Sequence, residues 1–92
     1  MSVVIIGGNE RMERQYTDIC ARYGHKAKVF TKEAGSVAKK LGRADLLIIF
    51  TGTVSHKMMI SAVDEVKRVG TKIARTHSSS AAALHTLLAE HA

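Results

Sequence analysis

The sequence of 92 residues contains no proline, no tryptophan and a single cysteine, and its four aromatic residues are Tyr16, Tyr23, Phe30 and Phe50. One cysteine excludes an internal disulfide and a multi-cysteine zinc site, and this usage is typical of a reducing compartment. No apolar stretch approaches the roughly 20 residues of a membrane span, and the first residues carry no basic leader or cleavage site. These absences predict a cytoplasmic protein with no membrane association.

Apolar runs alternate with segments of helical periodicity along the chain. The pattern predicts strands over residues 2–7, 28–31, 46–50 and 72–76, and helices over residues 10–23, 33–41, 55–69 and 81–91. Short links between them predict right-handed crossovers and parallel strands, and the most apolar strands should be central. We therefore expect one α/β domain over residues 1–92, a small Rossmann-like or flavodoxin-like doubly wound sheet. Its four parallel strands should follow the order 2-1-3-4, with helices on both faces.

Three polar segments, residues 7–9, 51–56 and 75–80, each follow a predicted strand and precede a predicted helix. The carboxyl ends of parallel strands meet at one edge of a sheet, where helix N-termini direct free N–H groups and positive dipole ends at a crevice. We call this edge the carboxyl rim. Its hydroxyls, imidazoles and bases favour an anion. The candidate phosphate-binding residues are Gly7, Gly8, Asn9, Arg11, Thr51, Gly52, Thr53, Ser55, His56, Lys57, Arg75, His77, Ser78, Ser79 and Ser80.

Familiar catalytic and cofactor motifs are missing from this framework. The pair Gly7 and Gly8 lacks the third glycine of a dinucleotide fingerprint, and Lys32 stands near where NAD-binding domains place an acid. The two glycines suit either a tight strand-to-helix turn or the close approach of a phosphate. Asn9 and Thr51 occupy the places of the acidic cluster and the phosphoacceptor aspartate of a receiver domain. Since no nucleophile elbow, Walker loop or paired carboxylates are present, we expect no enzyme activity and no cofactor.

The serines and histidines of the rim also have structural explanations. Ser55 and one serine of residues 78–80 can cap helices, because their side-chain oxygens accept hydrogen bonds from free helix N–H groups. Three consecutive serines exceed the need of one cap, so this segment favours ligand contact. His56 and His77 can be hydrogen-bonded structural residues, can donate to phosphate or can hold a metal. A third ligand at metal-binding spacing is missing, so we expect no metal site. Cys20 lies on an apolar helix stripe and is expected to be an inert buried thiol.

The chain is basic, with 14 lysines and arginines against 8 aspartates and glutamates and a net charge of +6. This excess indicates a polyanionic partner such as nucleic acid. Nine of the bases lie at or just past the C-terminal ends of predicted helices, where cations complement the helix dipole. They are Arg22, Lys26, Lys28, Lys39, Lys40, Arg43, Lys67, Arg68 and Lys72. A structural role therefore explains these bases too, although they still contribute to the field that a polyanion experiences.

Several features together resemble one known family. They are the Val-Ile-Ile-Gly-Gly start, Ala-Asp-Leu at positions 44–46, the segment 51–56 and the three serines at 78–80. Over essentially its whole length the chain resembles the small bacterial family catalogued as domain of unknown function 2325. The Gly-Gly start combined with Ser55 and His56 is the most specific part. The resemblance implies a small Rossmann-like domain from a bacterial cytoplasm and carries no catalytic residue over to this chain.

The leading hypothesis is a non-enzymatic module that recognises phosphates and binds single-stranded nucleic acid as a homodimer. The aromatic residues all fit core positions, so base stacking should be limited and sequence preference weak. A short core and the unpaired edge of the fourth strand favour the dimer, whereas Lys72 and Arg75 on that edge would protect a monomer. The alternatives are a regulatory or hydrolytic protein that binds a nucleotide or another phosphorylated small molecule, and a protein-interaction module without a ligand.

Overall fold

The computed structural model describes residues 1–31, 44–68 and 70–91. These residues contain the strands β1 (Ser2–Ile6), β2 (Lys26–Phe30), β3 (Leu46–Phe50) and β4 (Lys72–Thr76), and the helices α1 (Glu13–Arg22), α2 (His56–Lys67) and α3 (Ala81–His91). The strands are parallel and form one sheet in the order β2-β1-β3-β4. The predicted fold class and strand order are confirmed. The helix predicted over residues 33–41 lies outside the described residues.

Helices cover both faces of the sheet, because successive side chains of each strand point to opposite sides. On one face, Ile5 and Ile48 belong to an apolar cluster with residues of α1 and α3. On the other, Ile6 and Ile49 belong to a cluster with residues of α2. The side chains of residues 3–6 and 46–50 are at most 1 % exposed. The two most apolar strands are therefore central, as predicted.

The bounds of β3, β4 and α3 agree with the sequence pattern, and the other elements differ at their ends. β2 begins at Lys26, two residues before the prediction, because its backbone pairs with β1 from Ser2 onward. Lys26 and Lys28 are exposed on this edge strand, while Val29 is partly buried. The predicted first helix opens as a 3-10 turn over Glu10–Met12. Helical periodicity does not separate this turn from the α-helix that follows it.

Cys20 is a residue of α1 that faces the core, and it is fully buried. Burial raises the pKa of its thiol from 9.0 to about 11, because the charged thiolate would lose its hydration. The thiol is therefore neutral at pH 7 and shielded from reagents, and the buried position expected for it is confirmed. None of the helices within the described residues combines the length and apolarity needed to cross a membrane.

Candidate functional site

Hydrogen bonds join the three polar segments at the carboxyl rim, which we call the first loop (residues 7–9), the second loop (residues 51–56) and the third loop (residues 75–80). The Gly8 N–H donates to Thr53 Oγ1 at 2.6 Å, which ties the first loop to the second. Thr53 Oγ1 in turn donates to the Phe50 carbonyl at 3.1 Å. Thr51 Oγ1 donates to the Thr76 carbonyl at 3.4 Å, which ties the second loop to the end of β4. These hydrogen bonds link the loops of the carboxyl rim to one another. The hydroxyls of Thr51 and Thr53 therefore already have partners within the protein.

The glycine pair of the first loop is required by the turn and by packing. Gly7 and Gly8 have φ angles of +93° and +90°, which L side chains rarely adopt. A Cβ on Gly7 would lie 2.9 Å from both the Phe50 carbonyl oxygen and Thr53 Oγ1, and a Cβ on Gly8 would lie 2.7 Å from the Tyr16 ring. The tight turn and these close approaches are sufficient to explain both glycines.

Tyr16, a residue of α1, connects the first and third loops from the core side. Its side chain is fully buried, and its ring packs against Phe50 with the centroids 5.2 Å apart. The hydroxyl donates to the Ser79 carbonyl at 2.6 Å and accepts the Asn9 N–H at 3.4 Å. Sequence reasoning placed Tyr16 in the core without this role. The available signal was the hydroxyl itself, since a buried tyrosine usually has a hydrogen-bond partner.

Two of the rim serines cap helices, as expected. Ser55 Oγ accepts the Met58 N–H at 3.2 Å at the start of α2, and Ser80 Oγ accepts the Ala83 N–H at 3.1 Å at the start of α3. Ser78 Oγ donates to Ser80 Oγ at 3.1 Å and accepts the Ser80 N–H at 3.3 Å. The serine run therefore shapes the entry to α3, with Ser80 as the cap.

We expect Ser80→Ala to lower the free energy of unfolding by about 1 kcal/mol, because the Ala83 N–H loses its acceptor. Ser79→Ala is the matched control. It removes a neighbouring hydroxyl but keeps the backbone carbonyl that accepts the bond from Tyr16, so its stability should stay close to that of the wild type. Urea unfolding followed by circular dichroism measures both. Equal stability of the two variants would contradict the capping role of Ser80.

The rim bases predicted to act together lie on different faces of the sheet. Arg75 is paired in register with Ile49, whose side chain packs on the α2 face, so Arg75 points to that face. Arg11 lines a groove between α1 and α3 on the opposite face. Lys57 is exposed in the first turn of α2. Arg11 and Arg75 therefore approach the carboxyl rim from opposite sides of the sheet.

The two rim histidines are exposed. The ring of His77 lies against the second loop, where a Cβ on Gly52 would meet its Cε1 at 3.0 Å and its carbonyl oxygen at 2.7 Å. His56 is the first residue of α2. In the part of the chain that the structure describes, no three histidine, cysteine, aspartate or glutamate side chains are grouped to hold a metal ion.

A groove between α1 and α3 adjoins the carboxyl rim and has a volume of about 360 Å³. We call it the arginine groove. The residues that line it are Arg11, Arg14, Gln15, Asp18, Ile19 and Arg22 on the α1 side and Ala81 and His85 on the α3 side. Positions three or four apart lie on one side of a helix, which is why these polar residues share a wall. Ala81 is the first residue of α3, so the groove also meets the positive end of that helix dipole.

The sequence predicted Arg11 as a base of the carboxyl rim and Arg22 as a helix-end residue. It did not point to Arg14 or His85 as candidate binding residues, and it did not predict the groove. A polar stripe with the spacing of residues 11, 14, 18 and 22 was visible in the sequence. Nothing in the sequence showed that α3 lies beside that stripe and turns it into a concave site. That information comes from the packing of α3 on the sheet.

Tyr23 is not the core residue that was expected. It forms the C-cap of α1 and is 39 % exposed. Its hydroxyl forms a hydrogen bond with Nδ1 of His85 at 3.2 Å, so Tyr23 stands beside the arginine groove. Tyr16 and Phe50 are buried and Phe30 is partly buried, in agreement with the expectation for those three.

The family model described as an uncharacterized protein conserved in bacteria, domain of unknown function 2325, matches residues 2–91. The chain belongs to this family. The match covers β1 to α3, and therefore includes the carboxyl rim and the arginine groove. Curated proteins and solved structures contain no significant match to the chain.

Proposed function

We propose that this chain is a non-enzymatic, phosphate-recognising module that binds single-stranded nucleic acid along the arginine groove and the carboxyl rim. One observation carries the proposal: Arg11, Arg14 and Arg22 line a single groove that meets the N-terminus of α3. Phosphate contacts from arginines and helix N-termini are the usual positioning contacts to nucleic acid. The net charge of +6 supports attraction of a polyanion over a longer distance.

The arginines of the groove are available for an external anion. Within residues 1–31, 44–68 and 70–91, none of the three forms an ion pair with a carboxylate, and the one such contact is that of His91 with Glu90 at 3.9 Å. Among the described residues that line the groove, Asp18 is the one acid. The groove therefore has an excess of positive charge that the described part of the protein does not neutralise.

The spacing of the arginines favours a chain of phosphates over one compact anion. Arg14 and Arg22 are eight residues apart, which is about 12 Å along an α-helix. The arginines also face a concave groove between two helices, whereas the DNA major groove is read by a protruding helix or β-ribbon. An extended single strand fits this shape, with its phosphates along the arginines. A phosphorylated small molecule at the rim is the competing function.

Arg14→Gln should weaken binding of single-stranded oligonucleotides by a similar factor for every base composition and reduce the salt slope by about one unit. Fluorescence anisotropy with a labelled oligothymidylate, repeated from about 50 to 200 mM salt, measures both effects. Lys67→Gln is the control, because it removes the same charge from the exposed end of α2. Equal losses in the two variants would mean that net charge alone attracts the strand. Tight, salt-insensitive binding of a mononucleotide would favour the competing function.

The same titration defines how far the site extends over the rim. Lys57→Ala and Arg75→Ala remove bases from the α2 face, and the double variant Ser78→Ala with Ser79→Ala removes two hydroxyls that do not cap α3. If the strand crosses the rim, each of these changes lowers affinity with little effect on stability. If affinity is unchanged, the site is restricted to the arginine groove.

A homodimer in the cytoplasm completes the proposal. β4 is an edge strand, and pairing of two copies there would cover the edge and double the phosphate-binding surface, which raises avidity for a long strand. The exposed Lys72 and Arg75 oppose close pairing along the same edge. Sedimentation equilibrium at micromolar concentration should give a mass of two chains. A mass of one chain that stays constant on concentration would contradict the dimer and leave the groove as a monomeric site.

A further inference from the structure

Tyr23 is an aromatic ring on the surface of a protein whose other tyrosine is fully buried. Two histidines flank it. The His25 ring is nearly parallel to the Tyr23 ring, at 12° with the centroids 6.5 Å apart, and the His85 ring is tilted at 53° with the centroids 5.8 Å apart. The bond between the Tyr23 hydroxyl and His85 Nδ1 holds the ring from the side of α3.

The chain path explains why these rings are held together. Gly24 has a φ angle of +78°, which lets the backbone leave α1 and enter β2 within a few residues. Tyr23 and His25 therefore come from the two sides of this turn, while His85 comes from α3. A ring supported by two neighbouring elements loses little conformational freedom when a ligand binds to it.

The position of Tyr23 relative to the arginine groove suggests what that ligand is. Its sequence neighbour Arg22 and its hydrogen-bond partner His85 both line the groove. Proteins that bind single strands combine a basic groove for the phosphates with aromatic rings on which the bases stack. We propose that Tyr23 stacks on an unpaired base of the strand whose phosphates contact Arg14 and Arg22. This inference rests on the proposed function and identifies its ligand as a strand with exposed bases.

We also expect base stacking on Tyr23 to leave the sequence preference weak, because every base has a π-face. In a duplex these faces are covered by the neighbouring base pairs. Stacking on the Tyr23 ring therefore favours single strands over duplexes. Inorganic polyphosphate offers the charges of a nucleic acid without bases and is the appropriate comparison probe. The expectation is that Tyr23 contributes to binding of an oligothymidylate and contributes nothing to binding of polyphosphate.

The experiment compares Tyr23→Ala, Tyr23→Phe and Ile60→Ala with the wild type on both probes. Tyr23→Ala should weaken oligothymidylate binding roughly 5- to 150-fold, as loss of one stacked base does, and leave polyphosphate binding unchanged. Tyr23→Phe keeps the ring and should stay within about 2-fold of the wild type. Ile60 is 46 % exposed on α2, across the sheet, so Ile60→Ala is the control for loss of an exposed apolar side chain.

Intrinsic fluorescence gives a second readout. The chain has two tyrosines and no tryptophan, so a base stacked on Tyr23 should quench tyrosine emission in the wild type and not in Tyr23→Ala. If the wild type binds neither probe, the proposed function fails. If the wild type binds both and Tyr23→Ala behaves identically, stacking is overturned and the phosphate site stands. If Tyr23→Ala weakens both probes equally, the ring only supports the groove, and stacking is again overturned.

Discussion

Gly8→Ala should lower the free energy of unfolding by roughly 2–5 kcal/mol. The φ angle of +90° is unfavourable for alanine. The added Cβ would also lie 2.7 Å from Cε2 and 2.8 Å from the hydroxyl oxygen of Tyr16, and 3.1 Å from Cδ2 of Phe50. Both rings are fully buried and cannot move aside without disturbing the core.

Gly24→Ala separates the backbone effect from the packing effect. Gly24 has a similar φ angle of +78°, but a Cβ there would meet nothing within 4 Å. We expect Gly24→Ala to lower the free energy of unfolding by about 1–2 kcal/mol, which is the conformational penalty alone. Urea unfolding of the two variants, followed by circular dichroism, measures the difference. Equal losses would show that the contact with Tyr16 adds nothing and that the first loop relaxes freely.

Tyr16→Ala should remove roughly 3–5 kcal/mol of stability, because a buried aromatic side chain is lost from the core. Tyr16→Phe isolates the hydroxyl. The ring keeps its contact with Phe50, while the Ser79 carbonyl and the Asn9 N–H lose their partner. We expect a loss of about 1–2 kcal/mol, since breaking one side of a buried hydrogen bond leaves the other side unsatisfied.

Tyr23→Phe is the matched control for Tyr16→Phe. It removes the same atom from a tyrosine that is 39 % exposed, where water can replace the bond to His85, so its stability should change by less than about 0.5 kcal/mol. The midpoint of urea unfolding gives the stability of each variant. Hydrogen exchange at the Asn9 amide reports opening of the first loop. If Tyr16→Phe is as stable as the wild type and Asn9 is equally protected, the hydroxyl does not join the loops.

The elements that sequence reasoning located well are those with an unambiguous local pattern. β3 is five consecutive apolar residues, and β4 and α3 are separated by a serine segment whose last residue caps the helix. β2 was placed too late because Lys26 and Lys28 look like residues of a loop. They can belong to an edge strand, since their side chains reach water while the backbone pairs with β1.

The candidate site was predictable in part. The loops after β1, β3 and β4 had to meet, because parallel strands place their carboxyl ends at one edge. Their internal bonds were not predictable, since Gly8 to Thr53 and Tyr16 to Ser79 join residues 45 and 63 positions apart. The separation of Arg11 from Arg75 also depended on details beyond local pattern, namely the register of β4 and the face that each helix covers.

Local pattern was enough for the α/β class, the strand order and the position of the carboxyl rim, because burial of central strands and the termination of helices leave clear marks in consecutive residues. The arginine groove and the exposure of Tyr23 arise from long-range packing. Leu84, Leu87 and Leu88 place α3 on the sheet beside α1. That contact sets Ala81 and His85 opposite Arg11, Arg14 and Arg22. The periodicity of α1 or α3 does not specify which polar face of α1 lies beside α3. The groove therefore depends on tertiary packing and could not be predicted from local pattern.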